Sequence, residues 1–359
     1  MKTIIDVLAK IQIYILILLT MLTASVWTLV WVSLPVSDDH TSVIVKIPAG
    51  ASGREIGALL RRAGVIRSRR AFYFTVRARR QSERLKPGRY ELRRDMDMLR
   101  IIYTLVRGRT ASAWLTIPEG YTVRQIARLL AEHGIVDERA FLTAALYDAP
   151  KFRDIVPAPS VSLEGYLFPD TYLLNIDEKP DAVIIQMLAA FQKKVCREFA
   201  GEIQCASLPE EAVPSAGPSN IEDRLHFIVT MASLIEREAK TDKDRTTIAS
   251  VLYNRLRKRM RLQVDATVQY SLGEHRSRLF WRDYKTPSDY NTYLHEGLPP
   301  GPIANPGVES IRAALRPAES DYLYYVARPD GSHLFTRTLA EHDQAIQAVK
   351  RMRQDTTAQ

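Results

Sequence analysis

Apolar and polar positions alternate along this chain in three distinct ways. Residues 11–36 read IQIYILILLTMLTASVWTLVWVSLPV with no charge among them. That run exceeds the roughly 20 apolar residues that span a bilayer core. It is also longer than the apolar stretch of a signal peptide and ends without a clear small-residue cleavage site. It predicts a retained membrane helix after a short tail, 1–10. From residue 37 the pattern shortens to strands and amphipathic helices. SVIVKI and AWLTI are strand-like and each runs into Pro-x-Gly, a turn signal. Ile56, Leu59 and Leu60 then fall at helical spacing, as do Ile126, Leu129 and Leu130. Beyond residue 220 the helical pattern lengthens. Leu225, Ile228, Val229 and Ala232 share one face, and Ile248, Val251, Leu252 and Leu256 mark a second helix over 247–260. Residues 321–338 predict a β-hairpin turning at Pro329-Asp330-Gly331.

The middle pattern is duplicated. IPAGASGREIGALLRRAGV (47–65) matches IPEGYTVRQIARLLAEHGI (117–135) at Ile, Pro, Gly, Arg, Ile, two Leu and a final Gly, all at one offset of 70 residues. PGRYEL (87–92) and PDTYLL (169–174) continue the match at a larger offset. Gly64 and Gly134 stand where a helix C-terminus favours glycine. The predicted unit is βααβ, present twice, over 37–110 and 111–205. Its element order resembles the LysM-like fold of glycan-binding modules. CASLPEEAVPSAGPSN (205–220) has the composition of a linker, assigned to 206–220, and 221–359 forms a further mixed α+β domain.

Charge then narrows the topology and the partners. Lys2 and Lys10 precede the apolar run and Asp38 and Asp39 follow it, so the N-terminus is expected in the cytoplasm and the bulk outside the inner membrane. Trp27 and Trp31 sit near the outer end, where interfacial aromatics belong. The chain of 359 residues carries a net charge of +9, which suits an anionic partner. Nucleic acid is disfavoured because most of the chain should lie outside the membrane. The arginine-rich first copy, RRAGVIRSRRAFYFTVRARR, reads either as a solvated basic face beside anionic lipid or as a site for an acidic polymer. Cys196 and Cys205 form no CxxC pair; in an oxidising compartment they could bond to each other, and otherwise they are two unpaired thiols. His333 and His342 lack HExxH spacing, so no metal is expected.

The candidate chemistry lies in MASLIEREAK (231–240). His226, Thr230, Ser233 and Arg237 form one narrow polar stripe on a helix that is otherwise apolar and largely buried. Glu236 and Glu238 fall on opposite flanks, about 200° apart at 100° per residue. They cannot form a carboxylate pair at one site. A carboxyl on an apolar face has its charged form disfavoured by desolvation, the property a general acid needs. The structural alternative is a glutamate paired with Arg245 or Arg255.

Several blocks in fixed order then point to one family. LEGYLFPDTY (163–172), MASLIEREA (231–239), IASVLYNRLRKRMRLQVDATVQY (248–270), YNTYLHEGLPPGPIANPG (290–307) and YLYYVARPDGSHLF (322–335) closely resemble the YceG-like family of endolytic murein transglycosylases. The anchor and the LysM-like region match that family's layout. The family's usual Asp-Pro-Thr is Asp265-Ala266-Thr267 here. The resemblance implies cleavage of the bond between N-acetylmuramic acid (MurNAc) and N-acetylglucosamine (GlcNAc) in nascent peptidoglycan strands. The products would be 1,6-anhydro-MurNAc ends, strand elongation would stop, no cofactor would be needed, and peptidoglycan synthases would be partners. It places the catalytic glutamate on Glu236, acting alone as acid and base. Gln263, Asp265, Tyr290 and Asn291 would line the sugar cleft or support its loop; Glu164 would join the site or anchor the LysM-like strand. Two other readings stay open: a non-catalytic wall-binding scaffold and a hydrolytic muramidase.

Overall fold

A computed structural model gives the fold of the chain. It describes residues 2–357 apart from 49, 109–110, 158–161, 206–220, 274–275 and 277. The expected linker at 206–220 lies outside the described residues. The chain divides into two compact units, one of residues up to Ala113 with Asn175–Asp177, the other of Trp114–Leu174 with Glu178 onward.

The first unit begins with α1 (Lys2–Ser33). The helix starts earlier than the apolar run and stops before it ends, because Pro35 cannot continue it. Tyr14–Ser33 has mean hydropathy 2.2 and, by length and composition, can cross a membrane. Arg67 donates to the carbonyls of Pro35 and Val36 and lies over the Trp31 ring, so one arginine of the basic stretch fixes the chain where α1 ends. Then follow β1 (Ser42–Ile47), α2 (Gly53–Arg62), α3 (Arg69–Ala78), β2 (Gly88–Arg93) and α4 (Met98–Arg107). β1 and β2 pair antiparallel, Val45 opposite Tyr90. Ile47, Ile56, Leu60, Phe72, Tyr90 and Ile101 fill the core beneath them. Such side chains contribute about 1.5–3 kcal/mol each on full burial.

The second unit opens with the same order: β3 (Ser112–Thr116), α5 (Val123–Glu132), α6 (Glu138–Leu146) and β4 (Thr171–Asn175), with β3 paired to β4. The 70-residue offset carries over to local structure. Ser52 with Glu55 and Thr122 with Gln125 each build a reciprocal capping box at the helix start. Gly64 (φ +71°) and Gly134 (φ +65°) turn the chain out of α2 and α5 in the left-handed region.

Next come α7 (Pro180–Phe191), α8 (Ala200–Cys205), α9 (Ile221–Glu238), α10 (Asp242–Arg257), α11 (Asp265–Leu272) and α12 (Val308–Leu315). β5 (Tyr324–Ala327) and β6 (His333–Thr336) form the expected hairpin, and α13 (Leu339–Thr357) closes the chain. α10 is shifted towards the N-terminus of the predicted 247–260: Asp242 and Asp244 occupy its first turn, where acids are favoured, and Arg259 takes a φ of +52° that ends it. α9 is the central helix, packed against α8, α10, α11 and α12. Its apolar positions are buried, and so are Thr230 and Ser233 of its polar stripe, the latter beneath the 299–305 loop. Ser233 Oγ accepts the Ile303 N–H, and His226 Nε2 donates to the Pro300 carbonyl while Nδ1 accepts the Tyr166 hydroxyl. Polar atoms on a buried face are thus used to seat a loop that has no regular structure of its own. Cys196 is half-buried and bonded to no other cysteine, and burial pushes its thiol up to about 11; the Cys205 side chain lies outside the described residues.

Candidate active site

Three segments of the second unit converge on Glu236, near the end of α9. α12 supplies two donors. The Gly307 N–H, at the helix N-cap, donates to Glu236 Oε2 at 3.0 Å and the Ser310 hydroxyl donates to the same oxygen at 2.7 Å. The glutamate thereby takes up an N–H that the first turn of a helix leaves without a partner. α10 supplies Arg245, whose Nη2 stands 3.4 Å from Oε1. Arg245 is itself held by Asp242 and by Ser310. Both members of this pair are sheltered, with 8% of the Glu236 side chain and 12% of the Arg245 side chain exposed. The pairing with Arg245 weighed from sequence is therefore present. Arg255 instead spends its guanidinium on the carbonyls of Leu323, Arg261 and Leu262.

The third segment is the Ile117–Tyr121 turn of the second βααβ copy. Gly120, at φ +74°, donates to the Asn305 carbonyl, and the Asn305 N–H and Nδ2 both donate to the Tyr121 carbonyl. A Cβ on Gly120 would meet Glu236 Cγ at 3.5 Å. A Cβ on Gly307 would overlap the Glu119 carboxyl. The turn and the 305–307 loop are thus laced together beside Glu236, and Glu119 lies against the backbone that donates to it. Arg237, the next residue of α9, donates to the Gly120 carbonyl.

Glu238 belongs to another neighbourhood, as the helical wheel required. Its Oε2 accepts the Tyr325 hydroxyl at 2.9 Å, and it accepts a backbone N–H at Ala266. Burial pushes its carboxyl up to about 7. Glu164 is more deeply buried, with 3% of the residue exposed. It accepts the Val123 N–H at the start of α5, the Asn305 side-chain amide and the Tyr270 hydroxyl. Burial pushes it up to about 8 despite those donors. Glu164 thus ties α5, α11 and the 305 loop together instead of meeting Glu236.

The remaining sequence candidates gather around the start of α11. Asp265 accepts hydroxyls from Tyr293 and Tyr284. Gln263, at φ +53°, accepts from Arg255 through its side chain and donates its N–H to the Thr292 carbonyl. Tyr290 packs on Tyr270 with ring centroids 4.9 Å apart. Asn291 is fully buried and donates to the carbonyls of Tyr284 and Thr286, bonds that hold the loop. The contacts these residues make are to Arg255, Tyr270 and the 284–293 segment, while those of Glu236 come from Gly307, Ser310 and Arg245. Sequence reasoning missed Ser310 and Glu119. Glu119 sat inside the repeat, where only the matching positions drew notice.

The raised Glu164 and Glu238 values have a stability consequence. A carboxyl whose folded pKa exceeds its unfolded value of about 4.5 holds its proton more tightly when folded. Its contribution is fully present below the unfolded value and is lost as pH rises through the folded value, here about 7 for Glu238 and about 8 for Glu164. The chain should therefore melt several degrees lower at pH 9 than at pH 5. Glu164→Gln, a neutral isostere, should remove most of the loss between pH 7 and pH 9. Melting curves across that range check it; an unaltered slope in the variant would contradict the assignment.

Glu236 is thus a sheltered carboxyl held by one helix N-terminus and one guanidinium in a mixed α+β unit, an arrangement suited to acid–base chemistry. Comparisons with known proteins give the family. The YceG-like family matches residues 45–348. An endolytic murein transglycosylase of Bacillus subtilis (strain 168) is 37% identical over 324 residues, covering 86% of this chain and 85% of the relative. A protein of the same name from Streptococcus pneumoniae serotype 2 (strain D39) is 30% identical over 334 residues; the match covers 85% of this chain and 58% of that longer relative. A crystal structure of a YceG-like protein from Listeria monocytogenes has a TM-score of 0.57 and 35% identity, covering 85% of this chain and 99% of that one. The chain belongs to the YceG-like family.

Proposed function

We propose that this protein is an endolytic peptidoglycan lytic transglycosylase that cuts the MurNAc–GlcNAc bond of nascent strands, leaves 1,6-anhydro-MurNAc ends and so ends strand elongation. The observation that carries the reading is the Glu236 carboxyl, sheltered and oriented by Gly307, Ser310 and Arg245 in a chain of this family. Protonated Glu236 gives its proton to the glycosidic oxygen as the anomeric carbon–oxygen bond breaks. The carboxylate then takes the proton of the MurNAc C6 hydroxyl as O6 bonds to the anomeric carbon. One bond breaks, one forms, a proton passes from O6 to the leaving oxygen, and no water is consumed. Oε2 already accepts two hydrogen bonds, so Oε1, faced by Arg245, is the oxygen left to pass the proton.

The layout follows from the same reading. Residues 1–10 lie in the cytoplasm and 11–36 anchor the chain in the inner membrane. The two βααβ segments (37–110 and 111–205) are LysM-like modules in contact with glycan. Residues 206–220 link them to the catalytic part, 221–359, outside the membrane, within reach of peptidoglycan synthases. The test is digestion of purified glycan strands by the full chain, with products weighed by mass spectrometry. Anhydro ends are expected. Reducing ends would replace the reading with hydrolysis, and intact strands would leave the scaffold.

A further inference from the structure

Glu119 stands beside the proposed acid–base residue with no structural task of its own. Its carboxyl lies against Gly307, whose N–H donates to Glu236, and only the missing Cβ of that glycine leaves room for it. Among the described residues it makes no hydrogen bond or ion pair, and it is exposed to solvent. The duplication sharpens the point. Ile117, Pro118 and Gly120 match Ile47, Pro48 and Gly50, but the position between Pro and Gly is Ala49 in the first copy. The turn is made without an acid there. The copy whose turn is laced to the 305–307 loop is the copy that carries one.

We propose that Glu119 is a second carboxylate of the Glu236 site, and that its negative charge stabilises the positive charge that develops on the anomeric carbon while Glu236 moves the proton. This rests on the glycan-cleaving reading above. Glycoside cleavage passes through an oxocarbenium-like transition state, and glycosidases commonly flank it with two carboxyl groups. A charge already in place beside the reacting carbon stabilises it without reorganisation at the moment of reaction. The charged groups acting on Glu119 are Glu236 of α9, Asp242 and Arg245 of α10, and Glu309 of α12. Burial first, and then the Glu236 charge, raise the Glu119 carboxyl above its ordinary value, while Arg245 opposes them. The stabilising anion is therefore lost as pH falls through that raised value.

Steady-state kinetics of the detergent-solubilised full chain on glycan strands tests this. Glu119→Gln should lower kcat by about 100-fold, leave KM within about twofold, and leave the melting temperature unchanged. The fall in kcat on the acid side, present in the wild type, should vanish in Glu119→Gln, and Glu119→Asp should restore part of both rate and limb. A Glu119→Gln variant with wild-type kcat and pH profile overturns the proposal while leaving the role of Glu236 standing. Wild-type reducing ends that disappear in Glu119→Gln overturn it too, because they assign Glu119 to activating water. A wild-type chain that releases no fragments overturns the glycan-cleaving reading and this proposal together.

Discussion

Glu236→Gln is expected to abolish strand cleavage, with kcat down about 10⁴-fold or more, while the protein still melts within about 2 °C of the wild type. General acid or base assistance by one side chain is worth roughly 10²–10⁴ in rate. Glu236 is asked to supply both proton transfers, so the loss belongs at or beyond the upper end. The fold should survive because the amide oxygen can accept from Gly307 and Ser310 in place of Oε2. Arg245 keeps its contacts with Asp242 and Ser310. The pairing that is lost spans 3.4 Å, longer than the contacts that remain to Ser310 and Asp242. Glu238→Gln is the matched control: that residue faces Tyr325 and Ala266, so cleavage should persist. Strand digestion and melting curves for both variants settle the matter. Cleavage by Glu236→Gln at even a tenth of the wild-type rate would remove Glu236 from the chemistry.

Periodicity carried the reading as far as local structure goes. The strands ahead of each Pro-x-Gly, the helices that follow, the 324–336 hairpin and the opposite flanks of Glu236 and Glu238 all depend on neighbours within a few positions, which spacing records. The choice between the two glutamates came from the family resemblance. The carboxyl's surroundings were out of reach. Gly307 and Ser310 lie 71 and 74 positions away, and Gly120 is 117 positions from the arginine that binds its carbonyl. Nothing in the spacing of NPGVES announces that its first helical turn takes a glutamate from α9. The polar stripe of α9 is a related case. Spacing marked Thr230 and Ser233 as polar positions, but not that both are buried or that Ser233 takes the backbone N–H of Ile303 in a loop without regular structure.

That loop explains why Gly165→Ala should be the most damaging small substitution outside the site. Gly165 sits at φ +87°, where a Cβ costs about 1–2 kcal/mol through backbone sterics. The added carbon would also fall 2.5 Å from Cβ and Cγ of Pro302 and 2.8 Å from Cγ1 of Val229. Neither neighbour can swing aside: one is a ring and the other a buried branched side chain on α9. Overpacking of this kind costs about 1–3 kcal/mol more, for a total of about 2–5 kcal/mol. The melting temperature should drop by about 10 °C, at the 2–4 °C per kcal/mol usual for units of this size. Gly297→Ala separates the two contributions, since Gly297 has φ +82° with open space around it and should lose only the backbone part. The effect should reach the chemistry as well. Pro302 precedes Ile303, whose N–H is held by Ser233, and the same loop runs on through Asn305 to the Gly307 donor. Displacing it moves an N–H that orients Glu236, and positioning errors on the scale of an ångström cost about 100-fold in rate. Below its melting point, Gly165→Ala should therefore be folded by circular dichroism yet slow in strand digestion, whereas Gly297→Ala keeps its rate. Equal melting temperatures and rates for the two variants would show that the 302–307 loop is not what holds the carboxyl in place.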